Sequence, residues 1–153
     1  MENTHLVFVY GTLKSGGHNN HIMTRGRGES VFVGRARTAD RVLLRDGGFP
    51  RMSPVDLDND SEVAHCGHVF GEVWRLNEAA FKAVDRLEGH PTFYTRAKII
   101  VDLRDSPGFL VAWAYFILNP SPEATYMTPA LGGFLEWNQT THFSYTAEPD
   151  DDE

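Results

Sequence analysis

His68-Val69-Phe70-Gly71-Glu72-Val73-Trp74-Arg75-Leu76-Asn77, running on into Glu78-Ala79-Ala80-Phe81-Lys82-Ala83-Val84-Asp85-Arg86-Leu87-Glu88-Gly89, holds the change of period on which the fold turns. In the first half Val69, Gly71 and Val73 alternate with Phe70, Glu72 and Trp74, as side chains on a strand do. In the second half Phe81, Val84 and Leu87 recur at helical spacing. Asn77 is a suitable helix cap, because its side-chain oxygen can accept from a backbone N–H that the first turn leaves unpaired. Glu78 puts a carboxylate in that turn, and Gly89 and Pro91 stop the helix. The pattern predicts a strand over 68–76 and a helix over 78–87.

Outward from this passage, strands dominate. Leu6-Val7-Phe8-Val9-Tyr10 is a β-branched and aromatic run that stops at Gly11, the signature of a buried strand delivering a loop. A second strand is expected from Ser30 to Arg37, with Val31 and Val33 on one face, and a third from Arg41 to Arg45, ending at Asp46-Gly47-Gly48. Residues 54–62 are polar and aperiodic and read as a loop. Tyr94 to Leu103 and Phe109 to Leu118 read as strands joined around Asp105-Ser106-Pro107-Gly108, and a short helix is expected near Tyr126 to Leu135. Many strands with one well-defined helix between the fourth strand and the last pair point to an α+β domain on a curled, barrel-like sheet.

The chain has 153 residues, 41% of them hydrophobic, which suits one compact domain with a substantial core. That domain is expected over residues 1–145, with 146–153 a disordered acidic tail carrying Glu148, Asp150, Asp151, Asp152 and Glu153. A formal net charge of −7 argues against a nucleic-acid partner, which would need a concentrated basic surface. No apolar stretch approaches the roughly 20 residues that cross a bilayer, so no membrane partner is expected. Cys66, the single cysteine, and an N-terminus without a basic start and apolar run are what a reducing, cytoplasmic setting would give.

Two places carry candidate chemistry. Tyr10-Gly11-Thr12-Leu13-Lys14-Ser15-Gly16-Gly17 leaves a buried strand with glycines at 11, 16 and 17, so its backbone N–H groups can converge on an anion or a developing oxyanion. On composition alone such a loop is more often a plain turn, and it lacks the Walker A spacing. Glu88 lies at a helix C-terminus, where the macrodipole disfavours a carboxylate by about 0.3–1 kcal/mol. That field, with any burial, would raise its pKa toward that of a general base; on residues alone an exposed carboxylate tolerated at a helix end is the other reading. His65-Cys66-Gly67-His68 lacks the second ligand pair of a structural zinc site, and on a strand His65 and His68 would face opposite ways. No metal is expected there.

Val7-Phe8-Val9-Tyr10-Gly11-Thr12-Leu13-Lys14-Ser15-Gly16, followed by Asn19, resembles the N-terminal signature of the gamma-glutamyl cyclotransferase-like family, especially its gamma-glutamylamine cyclotransferase branch. Gly71-Glu72-Val73-Trp74-Arg75-Leu76 resembles the family's Gly-Glu-Val strand. Leu87-Glu88-Gly89 with Pro91, Tyr94 and Arg96 resembles its catalytic helix end, and Ala114-Tyr115 its closing aromatic strand. These blocks come in the family's order over about residues 6–118, with Ser15 departing from the basic residue of many relatives. The resemblance implies a small mixed β-barrel with flanking helices, a small-molecule gamma-glutamyl substrate, no cofactor, and Glu88 as acid/base. It also implies that Gly11, Thr12 and Leu13 beside Tyr10 bind substrate, the three through their backbone N–H groups, and that Tyr94 is an aromatic neighbour of Glu88; Tyr126, past the matched blocks, is a further candidate for shaping the pocket. A barrel that binds a small ligand without turning it over is the alternative.

The incomplete ligand set at His65, Cys66 and His68 generates a first prediction. Elemental analysis of the purified protein is expected to find no stoichiometric zinc, and turnover is expected to survive chelation. Activity lost to a chelator and restored by added metal would contradict this.

Overall fold

The computed structural model describes residues 3–24, 29–117 and 125–138. In chain order it has β1 (Thr4–Val9), α1 (His21–Thr24), β2 (Ser30–Thr38), β3 (Leu43–Asp46), β4 (Pro50–Ser53), α2 (Asp60–His65), β5 (His68–Asn77), α3 (Glu78–Glu88), β6 (Tyr94–Leu103), β7 (Phe109–Ile117), β8 (Thr125–Tyr126) and β9 (Phe134–Leu135). The first sheet runs β1-β7-β6-β2-β5 and returns from β5 to β1, closing a five-stranded barrel with β9 added to β5. Among the described residues β1–β7 (Val7 opposite Trp113) and β5–β9 pair in parallel and the other strand pairs are antiparallel, so the barrel is mixed, as expected. A second sheet, β4-β3-β8, packs beside it.

Closure explains why Leu6 to Tyr10 is apolar without alternation. Phe8 and Tyr10 join the cluster with Val69, Val73, Val101, Ala114 and Trp137, while Val7 and Val9 join a second cluster with Trp74, Leu76, Phe81, Val84 and Tyr94. Both faces of β1 are therefore buried, one in the barrel and one beneath α3. Asn77 caps that helix by accepting from the Ala80 N–H at 3.0 Å. Gly89 ends it in the left-handed region (φ 69°), its N–H returned to Arg86 and Asp85.

The structure corrects three expectations and adds a strand that the sequence did not suggest. Residues 60–65 form α2 rather than loop, with Asn59 accepting from the Glu62 N–H at 3.2 Å; α2 buries none of its residues, so it leaves no apolar period to read. β4 escapes notice because it is four residues long and begins with Pro50. The helix expected near Tyr126 to Leu135 is instead two short strands, β8 and β9, separated by a segment in which Gly132 and Gly133 have φ of 93° and 82°. Val31 and Val33 do not share a buried face: a register shift between Phe32 and Gly34 leaves Val31 55% exposed while Val33 packs on the barrel core. The acidic tail and Leu118 lie outside the described residues.

Gly71 marks the tightest crossing in the barrel. A Cβ at this position would lie 2.4 Å from the Val9 carbonyl oxygen and under 3 Å from the Phe8 ring. Gly71→Ala is expected to destabilise the protein by about 1–3 kcal/mol, the usual cost of overpacking, read from a urea unfolding curve. An unchanged midpoint would mean that β1 and β5 are less closely apposed than described.

Candidate active site

One cavity of about 580 Å³ gathers most of the residues picked out above: Tyr10, Gly11, Thr12 and Leu13 of the glycine loop, Glu88 at the end of α3, and Tyr94 at the start of β6. The arrangement follows from the chain path. β1 and β5 are antiparallel neighbours, α3 leaves the end of β5, and β6 returns alongside, so a strand-exit loop and a helix end meet over one mouth of the barrel.

The loop is held from both sides. Glu72 Oε1 accepts from Ser15 N (2.8 Å), Ser15 Oγ (3.1 Å) and Trp74 Nε1 (3.0 Å), and Lys14 Nζ donates to the Trp137 carbonyl at 2.6 Å. Asn19 Nδ2 donates to Thr12 Oγ1 at 2.9 Å, and Asn20 Nδ2 to the Leu13 carbonyl at 2.8 Å. Burial of the Lys14 ammonium lowers its pKa. Among the described residues nothing accepts from the backbone N–H of Thr12 or Leu13, although both residues line the cavity. Donors without an acceptor among the described residues suit a ligand oxygen.

Glu88 is the corresponding unpaired acceptor. The residue as a whole is only part-buried, but its carboxyl group is desolvated, and burial pushes its pKa up to about 7. No hydrogen bond or ion pair to its carboxylate occurs among the described residues. Burial, which the sequence reading set beside the helix-end field, raises the pKa here. Its helix neighbour Asp85 is treated in the opposite way. Asp85 accepts from Arg96 Nε at 2.9 Å, from Arg96 Nη2 at 3.3 Å and from the Tyr115 hydroxyl. Arg96 in turn lies over the rings of Phe81 and Trp113. One carboxylate is fully engaged in tying α3 to the barrel, and the other, one turn later, faces the cavity without a partner.

The hydroxyls of Tyr10 and Tyr94 bond to the backbone. Tyr10 donates to the Tyr115 carbonyl at 2.5 Å and accepts from Met52 N at 3.3 Å; Tyr94 donates to the Pro50 carbonyl at 2.9 Å. Burial raises both phenols' pKa values, and the nearby Glu88 charge adds to the effect. Tyr126 is not among the residues that line this cavity. It sits on β8, stacked on His65 and beneath the Arg45 guanidinium. His65 ends α2 instead of sharing a strand with His68, which bonds the Thr38 carbonyl through Nδ1 at 2.9 Å. Phe49, Pro50 and Trp137 line the cavity without having been singled out. Pro50 opens the missed strand with Phe49 just before it, and Trp137 follows the segment read as helix, so no local pattern pointed to them.

Comparison with known proteins agrees with this geometry. The family model described as gamma-glutamyl cyclotransferase, AIG2-like, matches residues 7–135. A Methanocaldococcus jannaschii protein provisionally named a gamma-glutamylcyclotransferase is 33% identical over 110 residues, covering 72% of this chain and 82% of its own. The Bos taurus gamma-glutamylaminecyclotransferase is 32% identical over 126 residues, covering 79% and 70% respectively. The crystal structure of an AIG2-like protein from Mus musculus superposes with a TM-score of 0.69 at 26% identity, over 89% of this chain and 96% of that one. With a family match that includes the glycine loop, Glu88 and the closing strand, and with the barrel shared, the chain belongs to the gamma-glutamyl cyclotransferase, AIG2-like family.

Proposed function

We propose that this protein is a gamma-glutamyl cyclotransferase that releases 5-oxoproline and a free amine from a gamma-glutamyl amide, with Glu88 as general acid/base. The observation that carries the reading is the unpartnered, desolvated Glu88 carboxylate facing the same cavity as the unpaired N–H groups of Thr12 and Leu13. A base and two oxyanion donors around one space are the minimum that intramolecular acyl transfer requires. A module that only bound an anionic ligand would gain nothing from a carboxylate without a counter-charge in its pocket.

The chemistry balances with these groups alone. The substrate's α-ammonium gives one proton to the Glu88 carboxylate, and the freed nitrogen attacks the side-chain amide carbon. Charge gathers on the carbonyl oxygen, to which the loop N–H groups donate. Glu88 passes its proton to the departing nitrogen as the C–N bond breaks. The second proton shed by the attacking nitrogen, as it becomes the lactam N–H, also ends on the departing amine, which leaves as an ammonium. Glu88 returns to the carboxylate. The reaction needs neither water nor an oxidant or reductant. A cytoplasmic location is supported by the single cysteine and by the lack, among the described residues, of a helix long and apolar enough to cross a membrane.

Glu88→Gln keeps the side chain's shape but cannot take the proton. Turnover of an accepted gamma-glutamyl amide, followed as 5-oxoproline by mass spectrometry, is expected to fall by about 10²–10⁴-fold with the fold intact. A folded variant with near-parental turnover would assign the base elsewhere.

Because the competent form is the carboxylate and its pKa lies at about 7, kcat/KM is expected to rise with pH along a limb centred near that value. Stability runs the other way. Between the ordinary glutamate pKa of 4.5 and about 7 the folded state holds a proton that the unfolded state has lost, so stability falls as pH rises through that window. The loss reaches up to about 3 kcal/mol above it. Glu88→Gln is expected to lack this penalty, so unfolding curves of the two proteins should diverge from acid to neutral pH, with the variant the more stable. Curves that keep a constant separation would contradict the raised pKa.

A further inference from the structure

The gamma-glutamyl head must sit where both Glu88 and the Thr12 and Leu13 N–H groups can reach it, which commits the departing nitrogen's substituent to the rest of the cavity. That remainder has His18 and Asn19 in its lining and, apart from them, an apolar wall. Leu87 and Phe93 both line the cavity although they are 39% and 48% exposed, so they stand at its mouth, with Phe49 and Pro50 on the same wall. Neither ring is loose. Phe93 is pinned by its N–H to the Gly89 carbonyl at 2.8 Å and meets Tyr94 edge-on at 5.1 Å between centroids. Phe49 lies 6.5 Å from Phe93, with the Arg51 guanidinium over its ring at 4.5 Å from the centroid.

Charge in the cavity is equally one-sided. Among the described residues no lysine or arginine lines it, and Glu88 supplies its formal charge. A leaving group with its own carboxylate would bring a second anion toward Glu88 with no lining lysine or arginine to receive it. A hydrocarbon substituent would instead cover Leu87 and Phe93 and remove their exposed surface from water.

We infer that the leaving group is a hydrophobic primary amine whose carbon skeleton lies against Phe49, Leu87 and Phe93. The inference rests on the cyclisation reading and narrows its substrate to gamma-glutamyl amides of apolar, carboxylate-free amines. Phe93 is the specificity-determining side chain.

Four synthetic substrates test this on the unaltered protein: the gamma-glutamyl conjugates of phenethylamine, ethylamine, ethanolamine and phenylalanine, with 5-oxoproline as the common product. The kcat/KM for the phenethylamide is expected to exceed those of the ethylamide and ethanolamide by at least about tenfold, the discrimination that a hydrophobic pocket gives even for small changes in apolar size. It is also expected to exceed that of the phenylalanine conjugate, which differs from it only by a carboxylate. In Phe93→Ser the phenethyl-to-ethyl ratio is expected to move toward unity; a ratio cancels any general loss of activity, and the parental series decides the matter if the variant does not fold. Equal kcat/KM for phenethylamide and ethylamide, or a preference for the phenylalanine conjugate, would overturn the inference while leaving cyclisation standing. A ratio untouched by Phe93→Ser would overturn the role given to that ring. Release of 5-oxoproline from none of the four would overturn the cyclisation reading and this inference with it.

Discussion

Removing a carboxylate from water costs several kcal/mol unless hydrogen bonds or a counter-ion replace the lost solvation, and among the described residues neither reaches Glu88. The rest of the site can be read as what makes this tolerable. Asp85, one turn earlier on α3, accepts from Arg96 Nε and Nη2 and from the Tyr115 hydroxyl and fixes the helix end against β6 and β7. Tyr10 and Tyr94 spend their hydroxyls on the backbone of β7 and β4, so the walls around Glu88 cannot turn a donor toward it without breaking those bonds. The carboxylate is held in a place that stability disfavours and that proton transfer favours.

Barrel closure supplies the second half of the site. Pairing of β1 with both β5 and β7 buries the strand on two faces and leaves its C-terminal exit as a loop over the barrel mouth. Glu72, on the strand beside it, closes that loop with three donors converging on one oxygen. Glu72, Lys14, Asn19 and Asn20 hold the loop's other polar groups, and among the described residues the N–H groups of Thr12 and Leu13 have no acceptor in the fold. Preorganised donors of this kind act most strongly where water is excluded, which is also the condition that raises the Glu88 pKa.

What the sequence disclosed and what it hid divide along a physical line. The uninterrupted apolar run of β1, the alternation of β5 and the cap-to-glycine frame of α3 are local signals, set by burial and backbone geometry within ten residues or so, and they located Glu88 and the loop correctly. β4, α2 and the segment from Tyr126 to Leu135 have little periodic burial of their own and owe their form to tertiary partners, so pattern alone misread them. The same holds within the cavity. Glu88 could be suspected from an ill-placed charge at a helix end, whereas Phe49, Pro50 and Trp137 enter by long-range packing, and Tyr126 was drawn toward a site that it does not line.

The central claim is that desolvation makes Glu88 a base poised at neutrality. Its most direct test is a titration of the Glu88 carboxyl carbon by ¹³C NMR in protein labelled at glutamate side chains, with the resonance assigned by its loss in Glu88→Gln. The account expects a midpoint near 7, well above the 4.5 of an ordinary glutamate. A midpoint at or below 4.5 would mean that the carboxylate is solvated or paired in solution, and the mechanism built on its burial would fall.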